Sequence, residues 1–84
     1  MVTIDPQKYN LSNRIKLQEG PKGIFIIINR KSRVVMKDAK RILEIVKKIK
    51  NVDSKKKVGV LSLAPICSKT KIFLFNKKIS IKKI

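Results

Sequence analysis

The sequence predicts a small α/β domain: a three-stranded, mainly parallel sheet in the order β-α-β-α-β, two helices, and an N-terminal arm or hairpin able to add edge strands. Three observations carry this reading. Ile24-Phe25-Ile26-Ile27-Ile28 is an unbroken apolar run rich in β-branched residues, as expected for a strand buried on both faces. Ala39, Ile42, Leu43, Val46 and Ile49 recur at i, i+3, i+4, i+7 and i+10, which is one apolar stripe on a helix. Val58-Gly59-Val60-Leu61-Ser62-Leu63 is a second mostly apolar strand. Strand, helix and strand of these lengths favour parallel pairing through right-handed crossovers.

Residues 1–23 carry Pro6, Gly20, Pro21 and Gly23 with no sustained period, and Arg14 to Leu17 alternates weakly as an edge strand does. Tyr9, Leu11, Ile15 and Leu17 are its candidate anchors, so this segment is expected to lie on the domain formed by residues 24–84 as an arm or edge hairpin. After the first strand, Val34-Val35-Met36 leads either into a short return strand or into the helix. The helix has Asp38 in its first turn and Lys47, Lys48 and Lys50 in its last, both favourable to its dipole. Glu44 is placed to pair with Lys40 or Lys48. Asn51 to Lys57 is a turn and a charge run. Ala64-Pro65-Ile66 breaks the second strand, and 67–77 is expected to form a short helix burying Ile66, Phe73 and Leu74. Ile79, Ile81 and Ile84 then suggest a third strand with Ser80 and Lys82 on its wet face.

Eighty-four residues make one domain, which buries only about 60–65% of its unfolded surface. The apolar content of 43% suffices for a small core. Against that core stand 22 Lys and Arg and 5 Asp and Glu, for a formal charge of +17. Charge this dense repels itself unless a polyanion is nearby, and nucleic acid, whose phosphates release counterions when neutralised, is the simplest partner. Lysine enrichment also suits solubility or a thermophile, but high-temperature proteins raise Glu together with Lys, and Glu19 and Glu44 are the only glutamates here. Lysines outnumber arginines, which points to contact with the backbone rather than to base readout. Few aromatics are available for base stacking, so an RNA-recognition sheet is not expected.

Ligands of open parallel sheets bind beyond the carboxyl ends of the strands. That rule selects Arg30, Lys31, Ser32 and Arg33 after the first strand, and Ser68, Lys69, Thr70 and Lys71 after the second. Cations, hydroxyls and free N–H groups at a helix start together suit phosphate. Both serines also read as ordinary turn or capping residues. No glycine-rich phosphate loop is present. Lys37, Lys40, Arg41, Lys47 and Lys48 on the first helix, and Lys55, Lys56 and Lys57 in the loop after it, are expected to widen the basic surface.

Cys67, at a helix start and near Lys69 and Lys71, is expected to have a favoured thiolate. The stretch Ala64-Pro65-Ile66-Cys67, following a strand and opening a helix, resembles the C-P-x-C active-site turn of glutaredoxins and thioredoxins. Ala64 stands where those families carry the nucleophilic cysteine, so the resemblance implies a single reactive thiol rather than dithiol exchange. Without His, and with one Cys, a zinc site is not expected, nor is a disulfide framework. No two carboxylates have a spacing that suggests a shared metal, and catalysis is not expected.

Sequence alone thus leads to a nucleic-acid-binding protein with no cofactor, no metal and no membrane partner, RNA slightly favoured over DNA, with a homodimer left open. The alternatives are a thioredoxin-like or phosphate-ligand module using Cys67, and an assembly subunit meeting an acidic protein. The first ten residues do not read as a signal peptide, and the apolar runs are far shorter than a membrane span, so a cytoplasmic location is expected.

Overall fold

The apolar run at 24–28 becomes the middle strand of a five-stranded mixed sheet. In the computed structural model, which describes residues 2–84, the strands are β1 (Val2–Ile4), β2 (Lys16–Gly20), β3 (Gly23–Ile28), β4 (Val58–Ser62) and β5 (Ser80–Lys83). The helices are α1 (Met36–Val52) and α2 (Ser68–Asn76), with a single 3-10 turn at Pro6–Tyr9. The sheet order is β1-β2-β3-β4-β5. β1 and β2 join antiparallel, whereas β3, β4 and β5 are parallel. The three strands expected after residue 23 are therefore the parallel half of the sheet. The N-terminal segment supplies two antiparallel strands, which corrects the three-stranded reading to a mixed five-stranded one.

The hairpin joining the halves follows from its turn chemistry. Gly20 pairs with Gly23 across Pro21-Lys22, and proline pre-sets the φ needed to enter such a turn. Gly23 has φ +139°, a conformation that L side chains rarely adopt. A Cβ there would lie 2.2 Å from the Lys57 carbonyl oxygen. That carbonyl accepts the Ile24 N–H at 2.8 Å, joining the loop before β4 to the start of β3.

Both helices cover one face of the sheet. Leu17, Ile24, Ile26, Val58, Val60 and Ile81 are buried beneath them, while the alternate positions Phe25, Ile27 and Leu61 are half-buried and Lys16, Ser80 and Lys82 exposed. The continuous run at 24–28 is thus covered on one face and open on the other, contrary to the doubly buried strand expected. Two crossovers that step across the sheet in the same direction and share one hand carry both helices to the same side.

On α1 the buried residues are Ala39, Ile42, Ile45, Val46 and Ile49. Each fully buried Ile or Val contributes about 1.5–3 kcal/mol. Leu43, expected in the stripe, is only partly buried, and Ile45 takes its place. Leu43 instead lines the groove between α1 and the Lys77–Ile79 turn. The helix starts after Val35, whose N–H donates to the Asp38 carboxylate at 2.9 Å, half of a capping box.

α2 ends in a Schellman turn, with Ile79 N–H donating to Leu74 at 2.9 Å and Lys78 N–H to Phe75 at 3.0 Å. Lys78 takes the left-handed conformation this requires, at φ 62°. The returning chain buries Ile79 and Ile81 but leaves Ile84 56% exposed, so Ile84 is not part of the third strand's inner face.

The N-terminal segment is tied into the core through Tyr9. Its ring is 2% exposed and its hydroxyl donates to Asp53, at the carboxyl end of α1, at 2.5 Å. Burial, and then the Asp53 carboxylate, push the Tyr9 pKa up to about 12. Both edge strands, β1 and β5, are short, and β5 carries Lys82 and Lys83. Among the described residues no helix is long and apolar enough to cross a membrane.

Candidate nucleic-acid interface

Parallel neighbours discharge their chains at the same end, so the loops after β3 and β4 emerge side by side. The structure joins them further. Leu63 N–H donates to Ile28 at 2.9 Å, Val34 N–H to Pro65 at 2.8 Å, and Cys67 N–H to Val34 at 2.9 Å. Val34 and Ile66 form an isolated parallel bridge beyond the strands. Ser62, fully buried, braces the second loop: its hydroxyl accepts the Ala64 N–H at 3.1 Å and lies 3.0 Å from the Ala64 carbonyl. Segments 29–34 and 63–67 therefore form one rim at the carboxyl edge of the parallel strands.

Within the rim the sequence-selected residues separate into distinct positions. Arg30 folds back over its own loop. Its guanidinium donates to the Ser32 carbonyl at 3.2 Å, the Arg33 carbonyl at 3.1 Å and the Asp38 carboxylate at 2.5 Å. This geometry makes Arg30 a clasp from the loop to the start of α1. The Arg30 guanidinium is also the main reason that the Asp38 pKa lies below the ordinary carboxylate value, with the Val35 N–H adding to it against some desolvation. Asp38 therefore contributes stability above the usual carboxylate range and loses it as pH falls through its lowered pKa.

Lys31, Ser32 and Arg33 are exposed on the first loop, and Ser68, Lys69 and Lys71 on the start of α2. Thr70 is fully buried, so its hydroxyl is not open to a ligand at the rim. Its Oγ1 lacks a partner within hydrogen-bond geometry. Cys67 is the N-cap of α2 and only half-buried. The backbone N–H groups of Lys69 and Thr70 lower its pKa, with smaller contributions from the Thr70 hydroxyl and the Arg33 charge, outweighing desolvation. No full capping hydrogen bond reaches the neutral sulfur, so these groups act as a field favouring the thiolate.

The auxiliary cations lie elsewhere. Lys37, Lys40, Arg41, Lys47 and Lys48 are exposed along α1, and Lys48 reaches the Asn10 carbonyl at 3.4 Å. Lys55, Lys56 and Lys57 precede β4 and so belong to the opposite edge of the sheet from the rim. Lys56 is paired there with Glu19. Among the described residues, the ion pairs are Arg30–Asp38 and Lys56–Glu19, so Glu44 does not hold Lys40 or Lys48.

Sequence reasoning missed the open face of the sheet, where Phe25 and Leu61 border a broad concavity together with Lys22, Lys55, Lys57 and Lys82. The alternation of burial from Ile24 to Ile27 was concealed by side chains that are all apolar. Compared with protein-family models, curated proteins and solved structures, the chain matches none of them.

Proposed function

We propose that the protein binds nucleic acid through the phosphate backbone with little sequence specificity, RNA in preference to DNA. The observation that carries this reading is the disposition of charge. All 22 Lys and Arg side chains are exposed, and the described ion pairs neutralise only Arg30 and Lys56. Such a surface has a standing electrostatic cost that a polyanion removes. In this reading Lys31, Arg33, Lys69 and Lys71 take phosphates at the rim, the Ser32 and Ser68 hydroxyls add hydrogen bonds, and Arg30 keeps the first loop in shape. The first-turn N–H groups of α2, which also act on the Cys67 sulfur, add positive potential beside the rim. The helix-face lysines supply a wider attractive field.

Binding of generic RNA and of duplex DNA, titrated between 50 and 200 mM salt, tests the proposal. With four or more phosphates neutralised, the logarithm of the affinity should fall against the logarithm of salt with a slope of about −3 or steeper. A dissociation constant flat in salt overturns it. Co-purification of an acidic protein that survives nuclease treatment would instead favour an assembly subunit.

A second reading has its own support in the lowered pKa of the half-buried Cys67. On that reading the rim holds a reactive thiol beside an anion site, and alkylation should proceed at mildly acidic pH. A thiol unreactive there removes it.

A further inference from the structure

The sheet face away from the helices carries an apolar shelf with a cationic border. Gln18, Phe25, Gly59 and Ser80 lie in register across β2, β3, β4 and β5, which puts all four on this face. Gly59 has no side chain, and Phe25 uses the space. A Cβ built on Gly59 would meet the Cδ1 and Cε1 atoms of the Phe25 ring at 3.2 Å and the Ser80 Oγ at 2.7 Å. The ring therefore packs over the backbone of β4, and it also borders an open concavity of about 980 Å³. Leu61 extends the apolar floor. Lys22, Lys55, Lys57 and Lys82 stand around it, while Glu19, the acid of this concavity, is neutralised by Lys56.

An aromatic surface with cations at its margin is complementary to an unpaired base joined to phosphates. Base stacking on aromatic side chains is tolerant of sequence, and lysines track the backbone beside it. A duplex offers no free base face to such a shelf. The Ser80 hydroxyl, which shares the space above Gly59 with the ring, can donate to and accept from a ribose 2′-hydroxyl. We infer that the open sheet face binds single-stranded RNA, one base stacking on Phe25 and the adjoining phosphates meeting Lys22, Lys57 and Lys82. This inference rests on the nucleic-acid reading and adds to it a second surface, on the sheet rather than the rim.

The test compares a uridine oligonucleotide, its DNA counterpart, an abasic deoxyribose-phosphate oligomer and an RNA duplex, all at one salt concentration. Phe25→Leu keeps an apolar side chain but removes the π face. It should weaken binding of the uridine strand roughly tenfold and leave duplex binding unchanged. The protein has no tryptophan, so Phe25→Trp introduces a single indole whose fluorescence reports stacking directly. The uridine strand should quench it, and the abasic oligomer should not. This second variant keeps an aromatic ring, so the inference stays testable if Phe25→Leu fails to fold. Unchanged uridine binding by Phe25→Leu, or binding without quenching by Phe25→Trp, overturns the stacking site while the salt-dependent reading stands. Equal binding of the DNA strand overturns the assignment to RNA. Absence of binding to every oligomer overturns both readings together.

Discussion

Gly23→Ala is expected to lower stability by roughly 3–5 kcal/mol, enough to leave much of so small a domain unfolded. Two independent penalties combine. The first is conformational: φ +139° is costly for any residue with a Cβ. The second is steric, because the new methyl carbon would sit 2.2 Å from the Lys57 carbonyl oxygen. Moving that carbonyl away breaks its 2.8 Å bond with Ile24 N–H, at the point where β3 meets the loop before β4. A displaced strand start also disturbs the β2–β3 hairpin, since Gly23 is the hairpin's last pair. Urea unfolding followed by far-UV circular dichroism measures the loss. A change under 1 kcal/mol would mean that the hairpin can relax without disturbing β4.

Tyr9→Ala should cost about 3–5 kcal/mol, the range for deleting a buried aromatic side chain. The effect is large because Tyr9 joins two parts of the chain 44 residues apart, the N-terminal segment and the end of α1. Tyr9→Phe keeps the ring and removes only the hydroxyl, and should cost about 1–2 kcal/mol through the lost bond to Asp53. The pH dependence separates the contributions. Tyr9 has a folded pKa near 12, above its ordinary 10, so the folded state holds this proton more tightly than the unfolded one. Its stabilisation is complete below pH 10 and falls as pH rises through the folded value. The stability gap between the wild-type protein and Tyr9→Phe should therefore narrow between pH 10 and about 12. A gap that stays constant over that interval would show that the hydroxyl proton is not held by Asp53. If Tyr9→Ala unfolds with wild-type stability, the N-terminal segment is an appendage.

The parallel half of the fold was legible because its elements stand out as apolar runs or as a helical period. Residues 24–28 and 58–61 are runs of apolar residues and glycine of strand length, the α1 stripe repeats at helix spacing, and the structure follows them closely. The antiparallel half was not. β1 has three residues and β2 interleaves Lys16 and Gln18 with Leu17, too short and too polar to stand out. The covered and open faces of β3 were indistinguishable in sequence, since Ile24 and Ile26 differ little in type from Phe25 and Ile27. The juxtaposition of loops 29–33 and 67–71 followed from topology, as parallel adjacent strands discharge on one edge. The separate positions of the side chains did not. Whether Arg30 turns outward or clasps Asp38, and whether Thr70 points outward or into the core, depends on rotamers and packing that no spacing encodes.

The lysines of β5 have a consequence for how copies of this chain meet one another. A sheet edge is a template for strand addition, and two copies joined edge to edge at β5 would bring Lys82 and Lys83 of each beside those of the other. Their repulsion is longest-ranged in dilute salt and is screened as salt rises. Self-association through this edge should thus increase with ionic strength, while attachment to a polyanion declines. Self-association and ligand affinity then answer to one solvent variable with opposite sign.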